Sequence, residues 1–125
     1  MIGSEPQIYF YSQRHSATGF IYMYPLMEQQ KYASNMQDQM IQEIEQAKPD
    51  FVVFVSVKVS WLRQEQSDMH IVQWAEKYIA ADFDQVGLAD IQAKDQTVYR
   101  WGDKAVAAIP RAANFVWVLK RRTLF

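Results

Sequence analysis

The side chains that most often carry chemistry are few in this sequence and lie far apart. It contains no cysteine, which excludes a disulfide, a thiolate nucleophile and a cysteine-ligated metal. Its two histidines, His15 and His70, belong to no HExxH or HxH pattern, and we interpret His70 as a surface residue in the first turn of a helix. The GxSxG, P-loop and GxGxxG motifs are absent as well. We therefore predict no metal site, no cofactor and no catalytic residue.

One pair of carboxylates lies close enough in sequence to suggest acid–base chemistry. Asp82 and Asp84 flank a polar connection between a predicted helix and a predicted strand. Aspartates are common at such turns because their side chains bond to nearby backbone groups. We therefore interpret the two residues as helix-end and turn residues rather than as a catalytic pair.

The most informative segment runs from Ser4 to Pro25, with the sequence SEPQIYFYSQRHSATGFIYMYP. It holds six aromatic residues, two prolines and one arginine. One interpretation is an irregular wall of a small core, with the tyrosine hydroxyls exposed. The other is an aromatic and polar lining that stacks on a sugar or covers a lipid-facing surface. Composition leaves both open.

A binding site is expected where this segment meets the carboxyl end of a strand, since ligands of open α/β sheets collect there. We expect a first strand to end at Ser4–Glu5 and a second to emerge near Ser60–Trp61, so that their loops share one edge. Arg14, the one arginine or lysine in the first thirty residues, either pairs with Glu5 or grips a phosphate or carboxylate with its planar fork. The candidate ligand-binding residues are Glu5, Tyr9, Arg14, Tyr22 and Trp61.

Composition and charge exclude several classes of protein. The 125 residues are 50% hydrophobic and 22% charged, as expected for one packed domain. The net charge is −1, and no basic stripe precedes Lys120–Arg122, so we predict no nucleic-acid partner. No run approaches the ~20 apolar residues that span a bilayer, and the first residues are not a signal peptide. The chain itself is predicted to be soluble.

Hydrophobic periodicity predicts the elements that must position these residues. Ile2–Gly3 are typical of the end of a strand that we expect to begin upstream of Met1. Helices are predicted over about 27–47 and 68–81, strands over 51–55, 84–91, 97–101 and 114–121, and a short helical piece over 105–109. Because helical crossovers join parallel strands, the expected fold class is α/β: a single domain with a mixed, mostly parallel sheet flanked by helices, in the order β-α-β-α-β-β-β.

Six stretches of the chain also match a known pattern. They are SEPQIY at Ser4–Tyr9, YSQR at Tyr11–Arg14, YMYPL at Tyr22–Leu26, KPDFVV at Lys48–Val53, VSW at Val59–Trp61 and YRWG at Tyr99–Gly102. In this order they resemble the soluble C-terminal region of bacterial integral-membrane type C glycosyltransferases, related to protein O-mannosyltransferases and lipid A aminoarabinose transferases. The resemblance covers nearly the whole chain, and the first thirty residues carry most of it.

The resemblance implies a domain on the extracytoplasmic side of the bacterial inner membrane, joined to the transmembrane portion of its own parent chain. The family transfers sugar from a polyprenyl-phosphate donor, so the donor sugar lipid and the acceptor are the implied partners. Its catalytic acidic residues lie in loops between membrane helices, and no stretch of this chain matches them, so the domain is expected to be non-catalytic. The alternatives are a freestanding module that binds a small ligand at the sheet edge, and an enzyme of unidentified type.

Overall fold

Helices precede and separate the strands of one sheet in the computed structural model, which describes residues 1–123. No helix in this described part is long and apolar enough to cross a bilayer. The elements are α1 (Gln7–Ser12), α2 (Tyr24–Met27), α3 (Ala33–Ala47), β1 (Phe51–Ser56), α4 (Lys58–Trp61), α5 (His70–Asp82), β2 (Phe83–Ala93), β3 (Gln96–Trp101), a 3-10 turn (Gly102–Lys104) and β4 (Phe115–Arg121).

The four-stranded sheet is antiparallel, with the strand order β1-β4-β2-β3. The prediction of a mostly parallel sheet in the order β-α-β-α-β-β-β is therefore wrong. The helical crossover between β1 and β2 does leave these two strands running in the same direction. However, β4 lies between them and pairs antiparallel with both. The crossover sets the direction of a strand but not which strand becomes its neighbour.

Ile2 makes a parallel bridge to the outer edge of β1. Its N–H donates to the Val53 carbonyl at 2.8 Å, and its own carbonyl accepts from the Val55 N–H at 3.0 Å. The bridge lies opposite Phe54, where the sequence pattern predicts a strand end. It is a single bridge rather than a strand of the sheet, which is a second difference from the predicted order.

The helix bounds differ from the predicted ones for local reasons. The helix predicted over 27–47 begins at Ala33, because Gln30 closes a turn before it: Nε2 donates to the Pro25 carbonyl at 2.8 Å, and Oε1 accepts from the Tyr32 N–H at 3.0 Å. The helix predicted over 68–81 is α5. The N-cap residue of α5 is Met69, whose side chain makes no capping bond; Asp68, one residue earlier, accepts from the His70 N–H through Oδ1 at 2.9 Å.

Two shorter segments differ from their predicted form. The alternation of apolar and charged residues at 57–59 is typical of a strand, but α4 begins there, at Lys58. The helical piece predicted over 105–109 is a turn that follows the 3-10 segment. Both stretches are too short for periodicity to separate strand from turn.

The buried core joins α3 and α5 to β1, β2 and β4. Apolar residues recur on each helix at the helical period, so one stripe of each faces the sheet. The cluster includes Met40, Ile41, Ile44, Ile71, Ala75, Val52, Phe83 and Leu119.

Gln37 is the polar link within this core and is fully buried. Its Nε2 donates to the Leu26 and Asp68 carbonyls, each at 2.8 Å, and its Oε1 accepts from the Ile71 N–H at 2.9 Å. A buried amide with unpaired groups would cost free energy, whereas this one bonds to three backbone groups. The side chain therefore fixes α3 against α2 and against the start of α5.

A buried cluster that we call the N-terminal node holds the first residues on the sheet; it consists of Gly3, Ser4, Met23 and Ser60. The Ser4 N–H donates to Ser60 Oγ, and the Met23 N–H donates to Ser4 Oγ, both at 2.7 Å. Two backbone donors that would otherwise be buried without acceptors are satisfied in this way. Gly3 has φ +151°, and a Cβ built there would lie 2.6 Å from the Val55 Cβ. Only a residue without a side chain fits.

Replacing Gly3 by alanine is expected to lower the free energy of unfolding by about 2–4 kcal/mol, from overpacking and backbone strain together. Urea denaturation measures the change. Gly19→Ala is the matched control, because no atom lies within 4 Å of a Cβ built at Gly19 and its φ is ordinary. A Gly3→Ala variant as stable as the Gly19→Ala variant would contradict the close approach to Val55.

Candidate functional site

An open groove of about 990 Å³ lies at the carboxyl end of β1. We call it the aromatic groove. The sheet forms its floor, α5 forms one wall, and the segments following β1 and preceding β4 close it. Its size is that of a small-molecule site, and its lining is mostly apolar, as in most such sites.

Aromatic rings cover the floor of the groove. Phe54 on β1 and Trp117 on β4 are register partners, and their ring centroids are 6.2 Å apart. Phe115 lies two residues before Trp117, on the same face of β4, with its ring 4.8 Å away. Trp61 of α4 continues the row, 6.0 Å from Phe54. The pairing of β4 with β1 is what brings these rings together.

The two indole groups of the floor differ in their hydrogen bonds. Nε1 of Trp61 donates to the Val55 carbonyl at 2.6 Å. Nε1 of Trp117 is buried and has no acceptor among the described residues. A buried N–H without an acceptor costs about 1–3 kcal/mol. An occupant carrying an oxygen atom within reach of Trp117 would recover part of that free energy.

The facing wall is a second stripe of α5. Val72, Glu76 and Ile79 recur at four and three residues and line the groove, while the adjacent stripe with Ile71 and Ala75 enters the core. Residues at this spacing share one helix face. The apolar face of α5 is therefore broad enough to pack against the core and also to line the groove.

The charges on the rim of the groove balance. Lys58 and Arg63 are the cations of the lining, and Glu65 and Glu76 are its carboxylates. None of the four belongs to an ion pair within the described residues. With two charges of each sign, the rim selects neither anions nor cations strongly, so the apolar floor dominates what the groove can hold.

Asp90 shapes the segment that leads into the groove. Its carboxylate accepts from the N–H groups of Arg111 at 2.9 Å and Ala112 at 3.1 Å, and from Nε2 of Gln92 at 3.1 Å. The bond from the Arg111 N–H, followed by those from Gln92 and Ala112, holds the pKa of Asp90 below its usual value in spite of some desolvation. The segment it holds continues directly into Ala113, which lines the groove.

A second, smaller cavity of about 90 Å³ lies at the outer edge of β1; we call it the Arg14 cleft. Helix α1 ends at Ser12, and the C-cap residue Gln13 has a left-handed φ of 54°. The Arg14 N–H then donates to the Tyr9 carbonyl at 3.1 Å. This turn places the guanidinium carbon of Arg14 above the Phe51 ring, 4.7 Å from its centroid. The contact is a cation–π interaction.

The charged side chains that line the Arg14 cleft include no carboxylate. Arg14 and His15 line it together with the hydroxyls of Tyr9, Ser12 and Thr18. Burial raises the pKa of the Tyr9 phenol, against the opposing effect of a hydrogen bond with Ser16, so the phenol stays neutral. Its oxygen accepts from the nitrogen of Met1 at 3.1 Å.

The structure places the five predicted site residues in separate surroundings. Tyr9 and Arg14 line one cleft, whereas Trp61 is buried and lines the groove. Glu5 is half-buried and accepts from Nε2 of Gln7 at 2.6 Å. Tyr22 is 45% exposed, beside Tyr24. One contact joins the two predicted loops, since Ser4 bonds to Ser60, so they do meet at one edge.

The predicted ion pair between Arg14 and Glu5 is wrong. No ion pair joins Arg14 to Glu5 within residues 1–123, and the guanidinium stacks on Phe51 instead. Asp82 is confirmed as a helix-end residue, whereas Asp84 lies in β2 and not in a turn, because β2 follows α5 directly. They pair with Arg121 at 3.2 Å and Arg122 at 2.7 Å.

Sequence reasoning found Trp61 but missed the rest of the floor and the wall of the aromatic groove. The signals were present: aromatic residues alternate at Phe115 and Trp117, and α5 carries apolar residues at Val72 and Ile79, which pack against the edge of the core. Neither pattern points to a groove until β4 is known to lie beside β1.

Lowering the pH is expected to remove the contribution of Asp90 to stability. A carboxyl whose pKa is lowered by folding stabilises the native state above its unfolded pKa of about 3.9, and this contribution is lost as pH falls through the folded value. Asp90→Asn should therefore melt below the wild type at pH 7, and the difference should shrink toward pH 2. Thermal unfolding from pH 2 to 7 measures it, with exposed Asp103→Asn as the control. A difference that stays constant over this range would contradict the assignment.

Within residues 1–123 no three His, Asp or Glu side chains are grouped so that they could hold a metal ion. Comparisons of the chain with protein-family models, curated proteins and solved structures found no match. The function must therefore be argued from the chain's own residues. The aromatic groove and the Arg14 cleft are the two candidate binding sites.

Proposed function

We propose that this chain is a non-catalytic domain on the extracytoplasmic side of the bacterial inner membrane, carried by a membrane glycosyltransferase-like protein. That protein transfers sugar from a polyprenyl-phosphate donor, and the transmembrane portion of the same chain is the domain's main partner. The donor lipid or the acceptor is a further partner.

The observation that carries this proposal is the convergence of the matched stretches in space. Ser4 of SEPQIY, Met23 of YMYPL and Ser60 of VSW are far apart in sequence, yet two hydrogen bonds join them in the N-terminal node. Trp61, next to Ser60, bonds to the carbonyl of Val55. Three of the matched stretches therefore contact one another within one packed unit, as a resemblance over the whole domain implies.

The lining of the aromatic groove suits binding more than chemistry. Its floor and most of its wall are apolar, and its two carboxylates, Glu65 and Glu76, belong to exposed residues at the rim. General acid–base catalysis depends on a proton-transfer group whose pKa is tuned by its surroundings. The proposed division of labour leaves the transfer step to the membrane portion of the parent protein.

Two measurements test this proposal together. Purified chain incubated with a polyprenyl-phosphate sugar should release no more product than a heat-denatured sample, because no residue here is assigned a transfer step. In the parent membrane protein stripped of other cysteines, exposed Ser34 replaced by cysteine should react with a membrane-impermeant maleimide in intact spheroplasts, since this chain has no cysteine of its own. Turnover by the chain alone, or labelling only after lysis, would contradict the proposal.

A freestanding ligand-binding module is the second candidate, and the aromatic groove favours it. A natural reading frame that starts at Met1 and encodes no membrane spans would select this alternative. Eight or more hydrophobic spans upstream of Ile2 would select the first proposal.

Occupancy of the groove can be measured on the chain by titrating 8-anilinonaphthalene-1-sulfonate and following dye fluorescence and tryptophan quenching. Ile79→Glu places a charge in the apolar wall and should weaken binding at least about tenfold, because an unpaired charge is costly in an apolar site. Val106→Glu is the control, since Val106 is 62% exposed and lies outside the groove lining. Equal affinity of the two variants would show that the dye does not occupy the groove.

A further inference from the structure

We propose that the Arg14 cleft is a phosphate-binding subsite whose principal donor is the Arg14 guanidinium. The inference does not rest on the proposed function, because every group involved belongs to this chain and the test uses the chain alone. The phosphate can belong to a free phosphate ester or to a lipid headgroup.

The orientation of Arg14 leaves its donors available. A guanidinium that stacks on an aromatic ring uses its flat face, while its five N–H groups lie in the plane and point outward. Among the described residues no acceptor bonds to the Arg14 side chain, which stands over Phe51 at 4.7 Å. The same planar fork matches two oxygens of a phosphate at once.

The charge of the cleft favours an anion. Its lining contributes Arg14 and His15 and no carboxylate, so nothing within it neutralises the guanidinium. The rim of the aromatic groove, in contrast, carries Glu65 and Glu76 beside its two cations. Of the two cavities, only the Arg14 cleft has the electrostatic character that an anion requires.

The size and the remaining lining of the cleft favour a compact group. A volume of about 90 Å³ has room for several water molecules, far less than the groove offers. The hydroxyls of Ser12 and Thr18, in the same lining, already donate to the carbonyls of Tyr9 and Phe20, which leaves the guanidinium as the principal donor. The left-handed turn at Gln13 is rare for a residue other than glycine, and it aims Arg14 back over β1.

Binding is measured by titrating the chain with methyl phosphate and following the ¹H–¹⁵N signal of the Arg14 side chain and the His15 backbone. We expect a saturable shift. Arg14→Met should weaken binding at least about tenfold, because hydrogen bonds to a charged group are lost. The methionine side chain still covers Phe51, so the fold is retained, which thermal unfolding checks. Arg14→Lys should bind several-fold more weakly than wild type, since a point charge lacks the fork.

The matched control is Arg100→Ala, which removes an exposed arginine of β3 and should bind as the wild type does. A second titration uses phosphatidylcholine vesicles with and without phosphatidylglycerol. Binding that depends on Arg14 in either titration supports the subsite and identifies whether a free ester or a lipid headgroup supplies the phosphate. If Arg14→Met and Arg100→Ala bind alike in both titrations, or if nothing binds in either, the subsite is refuted.

Discussion

The position of β4 between β1 and β2 is the constraint on which the rest of this structure depends. Its backbone is hydrogen-bonded on both edges, so the last strand of the chain holds together two strands that a helical crossover separates. Its side chains serve two purposes on one face: Leu119 enters the core, while Trp117 and Phe115 floor the groove. A register shift of one residue would turn all three away from the helices. The register of β4 therefore determines both the packing of the core and the floor of the groove.

A few buried hydrogen bonds fix the relative positions of elements that hydrophobic packing brings together. Burial of apolar stripes brings α3 and α5 to the sheet but tolerates small rotations of the helices. Gln37 removes that freedom, because its three bonds require one relative placement of α2, α3 and α5. Ser4 and Ser60 do the same for the N-terminal segment. These contacts also define the two cavities, since α5 walls the groove and the N-terminal segment borders the Arg14 cleft.

The two cavities differ in the chemistry that they offer. The groove is large, aromatic and balanced in charge, whereas the cleft is small and mostly apolar, with Arg14 as its one arginine or lysine. An apolar ligand body suits the first, and an anionic group suits the second. Both adjoin β1, the strand that pairs with β4 on one side and with Ile2 on the other. Each site can be tested without the other.

Hydrophobic periodicity in the sequence was enough to predict α5, the apolar strand at Phe51, the later strands and the surface position of His70. The aromatic-rich segment Ser4–Pro25 also marked Tyr9 and Arg14 as candidate site residues, and these two do line one cleft. Only the tertiary structure decided the antiparallel order, because a crossover sets the direction of a strand and not its neighbour. It likewise decided that Arg14 stacks on Phe51 rather than pairing with Glu5, and that Phe54 meets Trp117. Those contacts join residues distant in sequence, and no local pattern encodes them.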